Sequence, residues 1–185
     1  MDEPKPSVAY LDENRESVGA IIRRRIPWLF VGLGGGILAS LLVSRFEEII
    51  SKNIALAFFL PFIVYISDAV GTQSETLFIR SLARGRVHFG KFLLKEFIFG
   101  ITTGLTFGII VGGVTSLWVD RAIAYTVGLA MAINISIAPI VALTIPEILF
   151  KNRSDPALGG GPFSTIVEDI VSLSVYLVVA SVVLF

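Results

Sequence analysis

The chain has no cysteine, and only one histidine, His88, in 185 residues. Disulfides, thiolate metal sites and cysteine nucleophiles are thereby excluded, and a histidine-rich zinc or iron centre has too few ligands within one chain. Oxygen donors remain. Charge is scarce as well: 16% of residues are charged against 54% hydrophobic, and fifteen basic residues balance fifteen acidic ones. A neutral balance points to no nucleic-acid partner, so the information lies in where each charge falls. The mean hydropathy of +0.81 is far above that of a soluble domain of this size and indicates an all-α membrane protein. The opening residues, MDEPKPSVAYLDENRESVGA, lack the basic-then-apolar order of a cleavable signal peptide and read as a short cytoplasmic arm, 1–20. Residues 21–185 then form one membrane domain, with no stretch long enough for a separate catalytic or sensory domain.

A transmembrane helix needs about 20 mostly apolar residues. Five segments qualify, near Ile26–Ser44, from Asn53 through the polar run SDAVGTQSETLFIR, Phe92–Val119, Ile123–Phe150 and Pro162–Phe185. Five spans put the termini on opposite sides. With the amino terminus inside, the inner segments hold Lys5, Arg15, Arg23, Arg24, Arg25, Arg80, Arg84, Arg86, Lys91, Lys95, Lys151 and Arg153, and the outer ones only Arg45, Lys52 and Arg121. The positive-inside rule therefore predicts a multi-pass protein of the cell membrane with a cytoplasmic amino terminus and Phe185 outside. The basic segment RSLARGRVHFGK follows from that topology and from contact with anionic membrane lipid.

Gly100, Gly104, Gly108 and Gly112 fall four apart on one face of the third span, and Gly128, Ala132 and Ser136 repeat the pattern in the fourth. Small residues at this spacing let helix backbones approach closely, either inside one subunit or between subunits. The GLGGGIL of the first span reads as a close helix crossing.

Carboxylates inside such spans are costly, so they face protein or water rather than lipid. In the fifth span, helical spacing groups Pro162, Thr165, Asp169, Ser172 and Tyr176 on one face, with Glu168 offset by about 100°. Asp169 follows Pro162 by seven residues, about 10 Å along a helix. In the second span, Asp68 is followed by Gly71, Thr72, Gln73, Ser74, Glu75 and Thr76. So polar a run predicts an irregular or broken helix lining a wet cavity, with a kink at Pro61. Carboxylates with hydroxyls and amides suit a hard cation, and Mg²⁺ in particular is held by one or two carboxylates while it keeps most of its waters. Asp169, Thr165 and Asp68 are the expected metal ligands. Gly71, Thr72, Gln73, Glu75, Pro162, Glu168, Ser172 and Tyr176 are expected to line the path.

Three stretches, ESVGAIIRRRIPWLF, GTQSETLFIRSLARG and DPALGGGPFSTIVEDIVSLSVYL, together resemble the transmembrane domain of the MgtE family of magnesium channels over most of the chain. The last is the most specific, with Asp155, Pro156, Ala157, Gly161, Pro162, Thr165 and Asp169 in the family order. The resemblance implies a homodimer of five-helix subunits whose second and fifth helices line a central pore, with Asp169 of both subunits holding a largely hydrated Mg²⁺ on the axis. The chain departs from the family at Ser67, Asp68 and Ala69, where members commonly carry Gly-Gly-Asn. The family's large cytoplasmic amino-terminal and CBS domains are not in this sequence, so gating is expected from a separate regulatory subunit, from the pore-side sites or from nothing, and the sequence is equally compatible with one domain of a longer protein.

The leading expectation is thus a Mg²⁺-selective channel or facilitated transporter, with residues 21–185 as its cation-channel domain. The alternatives are a Na⁺- or H⁺-coupled divalent cation carrier, using Asp68, Glu75 and Asp169 for the coupling ion, and a non-conducting membrane subunit that binds a soluble partner. Paired acids also do acid–base chemistry, but no nucleophile or metal motif accompanies them, and an enzyme is not expected.

Overall fold

Every regular element in the described residues, 17–85 and 87–185 of a computed structural model, is an α-helix. Residues 1–16 of the expected arm, with Lys5 and Arg15, and Arg86 of the basic segment lie outside the described residues. The order is α1 (Val18–Ser44), α2 (Glu47–Lys52), α3 (Ala55–Ala83), α4 (Phe89–Thr115), α5 (Arg121–Lys151) and α6 (Pro156–Leu184). Five of them, all but α2, are long and apolar enough to cross a membrane. The 29 residues of α3 span about 44 Å, more than a ~30 Å hydrocarbon core needs. The six-residue α2 carries an exposed Lys52–Glu48 ion pair at 2.8 Å, which holds the Glu48 carboxyl below the usual carboxylate range.

The start signals of α5 and α6 are written locally. Asp120 Oδ1 accepts from the Ala122 amide at 2.8 Å, and Asp155 Oδ1 accepts from the Ala157 amide at 2.9 Å, with Pro156 in the first turn. An acidic cap satisfies a helix-end donor that has no partner within the helix, and proline suits the first position because its missing N–H is not needed there. Asp120→Asn, which keeps a capping oxygen, is expected to leave stability within about 0.5 kcal/mol, whereas Asp120→Ala costs about 1 kcal/mol. Thermal melts of the two variants distinguish this capping role from a solvated loop charge.

The second span departs from its expected irregularity: α3 is one continuous helix through Pro61 and through the whole SDAVGTQSET run. A helix satisfies its backbone internally whatever its side chains are, so polar residues need not break it at membrane depth if protein or water meets them. Here the polar side chains divide between a buried seam and an open face.

α5 is the central helix, packed against α4, α6 and α3. The glycine ladder of α4 is buried against it. A Cβ added at Gly108 would lie 2.6 Å from the Gly128 carbonyl oxygen, and one at Gly104 would lie 2.6 Å from Ser136 Oγ. The glycine face thus serves packing inside the chain. α1 crosses α6 closely only at Gly35, which meets Ile166, while Gly32, Gly34 and Gly36 look onto open space. Trp28 and Phe163 add an edge-to-face contact at 6.0 Å. Leu29, Phe30, Leu33 and Ile37 of α1 are exposed and apolar, as a lipid-facing surface is.

Two apolar clusters form the interior. One joins the start of α3 and α5 to the end of α6 through Leu56, Ile63, Val127, Met131, Tyr176 and Leu177, and the other gathers Phe78, Leu82 and Leu143 near the opposite end. Between them along α3 and α6 lies a polar layer that includes Ser67, Ser74, Glu75, Ser164, Glu168 and Ser172, all buried.

Candidate functional site

The polar layer is built by α3 and α6, which run antiparallel. Tyr176 Oη donates to the Leu56 carbonyl at 2.8 Å, and Ser172 Oγ donates to Ser67 Oγ at 3.0 Å. Asn134 of α5 donates through Nδ2 to the Ser172 carbonyl at 3.3 Å. One and two turns further along, the Glu168 carboxyl lies directly over Gly71, where any Cβ would overlap it, and Glu75 Oε1 lies 2.8 Å from where a Cβ on Gly160 would stand. Each glycine leaves room for a carboxyl from the facing helix. This is the one setting in the seam where the absence of a side chain is required.

The stripe drawn from helical spacing therefore separates into two. Gly160, Ser164, Glu168, Ser172 and Tyr176, four residues apart, occupy the buried side of α6. Thr165 is exposed and Asp169 half-buried, one turn apart on an adjoining, more open side, with Pro162 half-buried nearby. Ser172 and Tyr176, grouped with Asp169 by spacing, are spent on internal hydrogen bonds. The cause is the 3.6-residue period: Ser172 is three residues from Asp169 and four from Glu168, and spacing alone does not say which partner it joins. Stepping by four from Glu168 would have found Ser164 and Gly160, which the sequence reading passed over.

On α3 the same division holds. Gly71 and Glu75 are buried in the seam, whereas Thr72, Gln73 and Thr76 are open. Asp68 is half-buried and stands near both Glu168 and Asp169, at the join of seam and open face. The structure thus brings Asp68 and Asp169 together across the two helices, with Thr72 and Thr165 exposed one turn away on the respective helices.

The other buried carboxylates have partners. Half-buried Glu96 of α4 accepts from Ser74 Oγ at 2.7 Å, a structural tie, and Glu147 pairs with Lys151 at 3.0 Å. By contrast Asp68 Oδ1, Glu75 Oε1, Glu168 Oε1 and Ser164 Oγ are buried without a hydrogen-bond partner. Among the described residues, no three His, Cys, Asp or Glu side chains are grouped so as to chelate a metal ion. An ion held at Asp169 and Asp68 would therefore have to keep other ligands, water above all.

The chain is similar to known proteins over most of its length. Residues 60–179, which contain α6 up to Val179 and nearly all of α3, match the MgtE family, described as a divalent cation transporter. The chain is similar to the protein named magnesium transporter MgtE of Enterococcus faecalis, with 32% identity over 162 residues covering 85% of this chain and 36% of that protein. It is 30% identical over 162 residues to the protein of that name from Bacillus subtilis and 29% identical over 163 residues to the one from Thermus thermophilus, again covering 36% of each. The chain thus spans about a third of the length of these curated relatives. With a family match over most of the chain and with its helices apolar enough to span a membrane, the chain belongs to the MgtE family of divalent cation transporters.

Proposed function

We propose that this chain conducts Mg²⁺ passively, as a channel or facilitated transporter, through a pore formed between two copies and lined by α3 and α6. One observation carries the reading. In the single chain, Thr72, Gln73, Thr76 and Thr165 are exposed beside the half-buried Asp68 and Asp169, in helices whose length and hydropathy suit a bilayer. Lipid does not tolerate such a surface, so protein and water must cover it. A second copy related by a twofold axis supplies both, and it doubles a charge that one carboxylate per chain leaves thin for a divalent ion.

In that pore Asp169 of each copy holds the hydrated ion by charge, and Thr165 and Asp68 supply further oxygens at its rim. Mg²⁺ surrenders its waters reluctantly, and retaining them lets the ion be held without being trapped. The orientation in this reading is the one the basic residues favour, with the start of α1 and Lys151 on the cytoplasmic side and the end of α6 outside.

A passive route makes a quantitative prediction. A double charge gains ~4.6 kcal/mol over 100 mV, so an inside-negative potential alone accumulates Mg²⁺ roughly 10³-fold at equilibrium. Purified protein in proteoliposomes is expected to drive Mg²⁺ inward at a fixed potential with no Na⁺ or pH gradient, with the plateau following voltage. Flux that required either gradient, or that reversed with it, would instead establish a coupled carrier. Absence of flux in protein shown to be folded and inserted would remove the conducting role altogether.

A further inference from the structure

The seam between α3 and α6 holds carboxyl groups that the proposed ion path does not use. Glu168 is 3% exposed, Glu75 6% and Ser164 1%. The charges acting on Glu168 are all acidic, namely Asp68, Glu75 and Asp169. Ser164 lies beside the Glu75 carboxyl, yet neither Ser164 Oγ nor Glu75 Oε1 has a hydrogen-bond partner. Buried carboxylates are ordinarily paired, hydrogen-bonded or bound to a cation, because desolvating an isolated charge is prohibitive. The hydroxyl points the same way: Ser164 is fully buried beside the Glu75 carboxyl, and its Oγ makes no hydrogen bond of good geometry.

The donor chemistry selects the ligand. Among the described residues no three acids converge to chelate one metal ion, so a stripped divalent cation is poorly served. A hydrated one is poorly served too, because the carboxyls of Glu168 and Glu75 are packed down onto the backbones at Gly71 and Gly160, leaving little space for a shell of waters. A small monovalent cation accepts a mixed set of carboxyl and hydroxyl oxygens and gives up water more readily than Mg²⁺. We propose that the α3–α6 seam of each chain binds a resident monovalent cation of the Na⁺ class through Glu75 and Ser164, with Glu168 contributing charge across the seam. This site is separate from the ion path at Asp169. It ties the two path-lining helices together by neutralising acids that otherwise repel across their interface, and it does not depend on whether the path is a channel.

The test is the thermal stability of purified protein as NaCl replaces choline chloride at constant ionic strength, without divalent ions, for the wild type and for Asp169→Asn, Glu75→Gln and Ser164→Ala. Wild type and Asp169→Asn are expected to gain Tm with Na⁺ to a saturating limit, as ligand binding to the folded state requires. Ser164→Ala and Glu75→Gln should each raise the half-stabilising Na⁺ concentration by about tenfold or more, the scale of a lost contact to a charge. Ser164→Ala removes only one oxygen from a buried position, so it keeps the test decisive if Glu75→Gln does not fold. Equal Tm in Na⁺ and choline for the wild type overturns the site. So does a Na⁺ effect that persists unchanged in Ser164→Ala, or one that disappears in Asp169→Asn, which would assign the cation to the conduction path. A further titration with MgCl₂ in choline completes the test: stabilisation by Mg²⁺ that Ser164→Ala abolishes would replace the monovalent ion with a divalent one and refute its class.

Discussion

Asp169→Asn is expected to weaken Mg²⁺ binding by roughly two orders of magnitude and to lower flux at submillimolar Mg²⁺ to match. A carboxylate about 5 Å from a doubly charged ion contributes ~1.7 kcal/mol even at the dielectric of bulk water, and a twofold pair contributes about double that. The effect should shrink as salt is added, since the groups face a wet path. Isothermal titration of the folded variant with Mg²⁺, together with flux at fixed voltage, measures it. Unchanged affinity and flux in a variant that is folded and monodisperse would remove Asp169 from the site. Asp120→Asn is the matched control. It deletes the same charge from a helix cap that lies at the start of α5 rather than in the α3–α6 layer, and a small, salt-sensitive change in flux is all that is expected of it.

Gly108→Val is expected to cost more than about 3 kcal/mol and to prevent α4 from seating on α5. An added Cβ would stand 2.6 Å from the Gly128 carbonyl oxygen and 2.7 Å from Ala132 Cβ. The first neighbour is backbone, so relief requires the two helices to part. Separation forfeits close contacts along the whole ladder, in an environment where packing rather than the hydrophobic effect holds helices together. Gly113→Ala supplies the contrast: it lies on the same helix, but a Cβ there has nothing within 4 Å. That variant should be neutral, or more stable by up to about 1 kcal/mol through helix propensity. Size-exclusion profiles and Tm in detergent check both. A Gly108→Val protein that melts like the wild type would mean that the ladder does not hold these helices.

Much of the fold was legible because its determinants are local. Apolar runs of bilayer length marked five helices, though the structure starts α6 at Pro156, ahead of the predicted boundary at Pro162, because Asp155 caps it. The run SDAVGTQSET misled for a definite reason. Its polarity signals that something other than lipid meets the helix, but polarity of side chains does not break a backbone whose hydrogen bonds are internal. Helix α2 was missed because six residues carry too little periodic signal to register.

The candidate site was legible in kind and only partly in detail. Asp169, Thr165 and Asp68 stood out because charge and hydroxyls inside apolar runs are costly wherever they point. Which face each joins is another matter. Ser172 and Tyr176 lie three and seven residues from Asp169, and four and eight from Glu168, so helical spacing admits both groupings. Only the approach of α3 resolves them: it offers Ser67 and the Leu56 carbonyl to the Glu168 side, and Gly71 to the Glu168 carboxyl itself. Sequence by itself determined how many membrane-length helices there are, that their surroundings are apolar and that carboxylates are set among them, since each follows from the transfer cost of neighbouring residues. Tertiary structure decided that Glu75 and Glu168 are shut inside one chain while Asp169 stays at an open edge, because burial depends on which helix arrives at a face, and that helix is about a hundred residues away along the chain.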